Sequence, residues 1–140
     1  MFFMIIGSSC PLLSQQWQDD YEDAVLLAKE EAKPLIVVFS GSDWCAPCIK
    51  LDRDIWQSEI FKNHTAKKYI LYRADFPRKK KNRLTDEKQA SNNALAERLN
   101  PRGHFPLVLV LDDEEHVMGS TGFKNWGPKK YIALLDSYLK

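Results

Sequence analysis

Two cysteines, Cys45 and Cys48, stand as a C-x-x-C pair, and they are the residues whose type and spacing best suit chemistry. If the pair opens a helix, Cys45 meets unpaired backbone N–H groups and the positive end of the helix dipole. Both favour a thiolate and lower its pKa below the free value of about 8.5. The two-residue spacer brings Cys48 to the next turn of the same helix, in reach for a disulfide and further from solvent. In that arrangement Cys45 attacks and Cys48 resolves. The spacer itself, Ala46-Pro47, carries no charge. A histidine there would stabilise the thiolate further and make a stronger oxidant, so its absence leans toward a reductant. Two other readings compete. Half of a zinc site would need two more ligands, and the pool is Cys10 with the scattered His64, His104 and His116, so no metal is expected. A purely structural dithiol is the second.

The neighbouring elements have to build that helix start. Residues 35–39 form a continuous apolar run rich in β-branched types, as in a strand covered on both faces. The turn Ser40-Gly41-Ser42-Asp43-Trp44 leads from it into Cys45, after which Cys48, Ile49, Ile55 and Trp56 suit a helix with one apolar side. Upstream, Asp19 with Glu22 reads as a capping pair for a helix that turns Tyr21, Ala24, Val25 and Ala28 inward and ends near Lys33, before Pro34. Downstream the pattern predicts a short helix over 58–68, a strand over 69–74 and a polar loop over 75–84. A helix follows over 85–99 with Ala90, Ala94, Leu95 and Leu99 inward. A strand over 106–111, an acidic turn over 112–115 and an antiparallel return strand over 116–123 come next. Gly127-Pro128 opens the last helix, with Tyr131, Leu134, Leu135 and Tyr138 inward. This order predicts an α/β fold, a mixed central sheet flanked by helices on both faces.

The whole composition agrees with that. The chain has 140 residues, 44% hydrophobic and 28% charged, which fits one globular domain and excludes collagen-like or wholly disordered chains. Twenty Lys and Arg against nineteen Asp and Glu leave a formal charge of +1, so no overall field recommends nucleic acid or an anionic membrane as partner. Residues 1–16 stand apart. No Asp, Glu, Lys or Arg precedes Asp19, and Phe2, Phe3, Met4, Ile5 and Ile6 run into Gly7-Ser8-Ser9-Cys10. The apolar run is shorter than the roughly 20 residues that span a bilayer and reads as an export segment, although it lacks the usual basic opening. The expected division is thus a signal over 1–16 and a domain over 17–140, working in an oxidising compartment such as the bacterial periplasm. Cys10 is a candidate lipidation site. A first strand over 2–6 is the competing reading, and a retained segment would mean a cytoplasmic protein.

Trp44-Cys45-Ala46-Pro47-Cys48 after a buried strand, followed downstream by Arg102-Gly103-His104-Phe105-Pro106-Leu107-Val108-Leu109, resembles the thioredoxin superfamily. The likeness runs over 17–139 and is nearest to exported single-domain thioredoxin-like proteins of bacteria. It implies a three-layer thioredoxin-like fold and a thiol–disulfide oxidoreductase acting on protein or peptide disulfides without a cofactor. It also implies that Phe105-Pro106 is a cis peptide beside the disulfide, that the Phe105 backbone pairs with substrate, and that Trp44 packs next to Cys45. X-Pro bonds alone adopt cis at a modest cost, about 0.5–1 kcal/mol. The sequence departs from the family at one point. Thioredoxins carry a buried acid in the strand before the motif, where this chain has Val38 and Phe39; Asp43 and Asp75 in neighbouring loops are the candidates to substitute. Lys50 and the cluster Arg78-Lys79-Lys80-Lys81-Asn82-Arg83 read as solvated, with docking of an acidic partner or phosphate as the cluster's functional alternative. His104 falls near the expected substrate groove. A reductase in an oxidising compartment needs a membrane electron donor as partner, and a monomer is expected. The alternatives are a disulfide oxidase or isomerase using the same residues, and a non-catalytic module holding peptides in the Phe105-Pro106 groove.

Overall fold

A computed structural model describes residues 17–139, so the expected export segment and Cys10 lie outside the described residues. Strand β2 (Leu35–Ser40) is buried along its whole length. Side chains leave a strand on alternate faces, so this uninterrupted apolar run feeds two cores. Leu35, Val37 and Phe39 pack with Tyr21, Ala24, Ala28 and Leu95 on one face; Ile36 and Val38 pack with Leu51, Ile55, Trp56, Phe61 and Tyr131 on the other. Strand β4 (Leu107–Leu111) divides in the same way, Leu109 and Leu111 to the first core and Val108 and Val110 to the second.

The five-stranded sheet has the order β1-β3-β2-β4-β5. Strands β1 (Trp17–Gln18), β3 (Ile70–Asp75) and β2 are parallel, while β4 is antiparallel to β2 and β5 (Val117–Thr121) to β4. Helices α1 (Tyr21–Glu31) and α4 (Asp86–Leu99) cover one face; α2 (Ala46–Leu51), α3 (Glu59–Lys68) and α5 (Pro128–Ser137) cover the other. This is the expected three-layer mixed architecture. Helix α5 also closes over β5: the Tyr138 ring occupies the space where a Cβ on Gly119 would fall, and its hydroxyl donates to the Ser120 carbonyl at 3.0 Å. The Tyr131 hydroxyl donates to the Gly122 carbonyl at 2.9 Å.

Four local expectations are corrected. The cap of α1 is Asp20, not Asp19: its carboxylate accepts the N–H groups of Glu22 at 2.8 Å and Asp23 at 3.2 Å. Helix α1 ends at Glu31 because Ala32 turns left-handed (φ 51°) and returns its N–H to the last turn. Ile49 is 45% exposed, since Cys48, Leu51 and Ile55 make the buried stripe, and a π turn over Asp52–Trp56 brings Trp56 inward beside Ile55. In α4, Ala90 and Ala94 face solvent, and the inward stripe is Asn92, Leu95 and Leu99. Asn92 replaces an apolar residue there because its side chain accepts from the Tyr72 hydroxyl at 2.5 Å and donates to the Asp75 carbonyl at 3.1 Å. Beyond these, Ile132 joins the inward face of α5, and β1 is an addition, pairing Trp17 with Leu71 and Gln18 with Tyr72.

Candidate active site

Beyond β2 the chain turns so that the N–H groups of Trp44 and Cys45 both donate to the Gly41 carbonyl, at 3.3 and 2.9 Å. Cys45 keeps an extended backbone (φ −95°, ψ 100°) and is the N-cap of α2, its Sγ accepting the Cys48 N–H at 3.3 Å. The sulfur thus takes the place usually held by a capping oxygen. Ala46 and Pro47 fill the first helical positions, where a missing N–H removes no intrahelical bond. Cys45 and Cys48 form a disulfide with Cα atoms 5.2 Å apart, inside the ordinary disulfide range. Once the pair is reduced, the same amide and helix dipole favour a thiolate at Cys45. In the disulfide, Cys45 is 5% exposed and Cys48 3%, an inequality in the expected direction but small.

The Phe105-Pro106 bond is cis. Phe105 meets Trp44 edge-on at 5.5 Å between ring centroids and Phe76 at 5.4 Å. The Trp44 indole N–H donates to the Phe76 carbonyl at 2.7 Å, and the Arg78 guanidinium lies 3.8 Å over the indole. Gly41 makes room for that indole, since a Cβ at this position would overlap the ring. A groove of about 350 Å³ is lined by Pro47, Phe105, Pro106, Thr121, Gly122 and Phe123. It joins the C-x-x-C spacer to the cis-proline segment. Phe123 stands partly exposed at the groove, with the Lys50 ammonium 5.9 Å from its ring centre.

The two candidate carboxylates are engaged elsewhere, and Asp75 is the last residue of β3 where a loop was expected. Asp75 accepts the N–H of Ser42 at 2.9 Å and its hydroxyl at 2.5 Å. Asp43 accepts the N–H groups of Arg78 at 2.9 Å and Lys79 at 3.0 Å, together with the Asn82 side-chain amide at 3.0 Å. The Arg78 N–H and the Asn82 amide hold the Asp43 carboxyl below the usual carboxylate range. Both acids fasten loops around the site, and the buried Val38 and Phe39 offer no proton. His104 borders the groove and is bracketed by Asn100, which accepts its N–H at 3.0 Å and donates to its carbonyl at 2.9 Å. His64 pairs with Asp136 and His116 with Asp112. Sequence reasoning missed the Arg78–Trp44 stack and the anchoring by Asp43. An acid ahead of the motif and a basic run were both visible, but nothing in linear spacing couples them.

Residues 16–113 match the thioredoxin-like family. The chain is 33% identical over 125 residues to the disulfide bond reductase DsbH of Chlamydia pneumoniae, covering 89% of this chain and 73% of that protein. Among solved structures, the DsbH oxidoreductase superposes with a TM-score of 0.83 at 28% identity, covering 99% of this chain and 94% of the other. A thioredoxin from Thermus thermophilus shares the fold at 15% identity, with a TM-score of 0.67 over 89% of this chain and 86% of its own. Among the described residues, no helix is long and apolar enough to cross a membrane.

Proposed function

The chain belongs to the thioredoxin-like family, and on that premise we propose that it is a thiol–disulfide oxidoreductase that reduces protein disulfides, with Cys45 as nucleophile and Cys48 as resolving thiol. The observation that carries this reading is the Cys45–Cys48 disulfide at the start of α2, whose spacer residue Pro47 lines the same groove as the cis Phe105-Pro106 bond.

The Cys45 thiolate attacks one sulfur of a substrate disulfide, and the other substrate sulfur leaves as a thiolate. Cys48, deprotonated, then attacks Cys45 Sγ in the mixed disulfide and releases the second substrate sulfur. Two electrons pass from the dithiol to the substrate, leaving the Cys45–Cys48 disulfide. With Val38 and Phe39 where thioredoxins hold an acid, water takes the Cys48 proton. Ala46-Pro47, which adds no cation beside the thiolate, supports the reductive direction, as does the likeness to a protein named a disulfide bond reductase. Trp44, Ala46 and Pro47 shape the surface around the sulfurs, while Phe105 and Pro106 receive the substrate backbone.

Returning the disulfide to the dithiol requires an outside donor, membrane-borne if the domain is exported. Residues 1–16 serve in this reading as the export segment of a domain over 17–140. Mass spectrometry of the mature N-terminus tests that part, and a protein beginning intact at Met1 would overturn it. For the chemistry, Cys48→Ser is expected to accumulate a covalent complex with substrate and Cys45→Ser is not. Equal insulin reduction by the wild type and both variants would end the proposal. Alkylation of the reduced protein against pH is expected to give Cys45 an apparent pKa below about 8.5.

A further inference from the structure

The strongest charge cluster of the chain, five cations in the six residues 78–83, has no place in the chemistry above, yet the fold holds it against the redox site. Asp43, two residues before Cys45, takes two backbone N–H groups of this loop and the amide of Asn82, so the loop is fastened to the turn that presents the sulfur. At its head Arg78 lies on Trp44, whose ring in turn touches Phe105 of the groove. Residues 78–83 are exposed. Among the described residues Arg83 pairs with Asp86, while Arg78, Lys79, Lys80 and Lys81 enter no ion pair. Asp43 and Asp75 on this rim are consumed by the loop's backbone and by Ser42, and Asp86 faces Arg83.

An acidic turn lies at the other end of the sheet. Phe39 registers with Leu107 and Leu35 with Leu111, so the turn carrying Asp112, Asp113, Glu114 and Glu115 lies at the end where β2 starts, and the Cys pair at the end where it finishes. Five strand residues at about 3.3 Å each separate the two ends by roughly 16 Å. The exposed cations of the 78–81 loop thus form a local positive patch beside the redox site, set apart from the acidic turn, and such a patch steers encounter.

We propose that the 78–81 loop selects its substrate: the preferred partner is a protein or peptide disulfide whose cysteine is flanked by acidic residues, and these dock on Arg78, Lys79, Lys80 and Lys81 while the cysteine lies over Cys45. This deepens the reductase reading and rests on it. The disulfide sits in a segment that runs along the Phe105-Pro106 groove. Its acidic continuation passes over the Arg78 guanidinium, where bidentate carboxylate pairing is available, onto lysines that supply long-range attraction.

The test is a single-turnover reaction of the pre-reduced protein with three synthetic peptide disulfides that differ in flanks of glutamate, glutamine or lysine. Each dithiol then reduces one disulfide and no further reductant is needed. At low ionic strength the glutamate peptide is expected to react about tenfold faster than the glutamine peptide, and the lysine peptide more slowly than both. The preference should shrink to within about twofold at about 0.5 M salt, where screening is nearly complete. In the variant combining Lys79→Gln, Lys80→Gln and Lys81→Gln, the glutamate-to-glutamine ratio should fall toward one. Rates that do not depend on the flanks, or a preference that survives both salt and the triple substitution, overturn docking and leave the reductase reading standing. Failure of all three peptides to be reduced, with the wild type no better than Cys45→Ser, overturns the reductase reading and docking with it.

Discussion

Gly41 and Trp44 determine the surface beside Cys45 through a packing constraint. The indole lies where a Cβ on residue 41 would stand, and in that position its N–H reaches the Phe76 carbonyl at 2.7 Å and its face receives Arg78. Gly41→Ala is expected to push the indole out and to cost about 1–3 kcal/mol in urea unfolding, the range for overpacking. It should slow insulin reduction as well. Wild-type values for both would mean that the indole keeps its seat without the gap. At this scale the sequence was informative wherever chemistry is local. The Cys45–Cys48 spacing and the one bond able to turn cis, Phe105-Pro106, can be read directly. The Asp43 to Asn82 contact joins residues 39 apart and belongs to neither motif, so only the folded chain brings it into view.

Among the elements, the helix starts were the most legible, because few residue types can serve unpaired amides. Ser58 caps α3 through the Phe61 N–H and Thr85 caps α4 through the Lys88 N–H, each at 3.2 Å. Between the adjacent aspartates 19 and 20, side-chain type alone cannot choose. Helix α4 misled the apolar pattern for a different reason: its inward stripe carries a polar residue with two buried partners, and alanines are too small to mark a face. Tyr72, its hydroxyl pushed up to about 12 by burial and then by Asp20, stays neutral and donates to Asn92. Asn92→Ala strands that hydroxyl and leaves the Asp75 carbonyl without its side-chain donor. A loss of about 1–3 kcal/mol is expected by thermal or urea denaturation. A loss no larger than for an exposed α4 substitution such as Ala90→Ser would show that water replaces the amide.

For the whole molecule, the layered mixed sheet followed from the two-sided apolar strands and the hairpin, whereas two-residue β1 is too short to carry a period. One acid ties the far helices together. Asp136 on α5 accepts from the Tyr69 hydroxyl at 2.6 Å, pairs with the His64 ring at 2.9 Å and lies 3.4 Å from the Lys68 ammonium. Burial opposes its charge, but the Tyr69 and His64 hydrogen bonds and the nearby cations outweigh it, and the carboxyl lies below the ordinary range. A folded pKa below the unfolded value of about 3.9 gives stability that is fully present above that value and lost as pH falls through the folded pKa. The gap in thermal midpoint between wild type and Asp136→Asn is therefore expected to be widest near neutrality and to close in strong acid. A gap independent of pH would refute this. The tyrosines of α5 have a further consequence. Strand β5 lies at a border of the sheet, and borders invite a second chain to add on. Tyr131 and Tyr138 already occupy two carbonyls along and just past it, and the Tyr138 ring roofs its glycine. Clipping the protein ahead of Tyr138 would uncover that flank, and sedimentation of the shortened chain should then show more self-association than the full-length chain, since the tail shields a border where another strand could add.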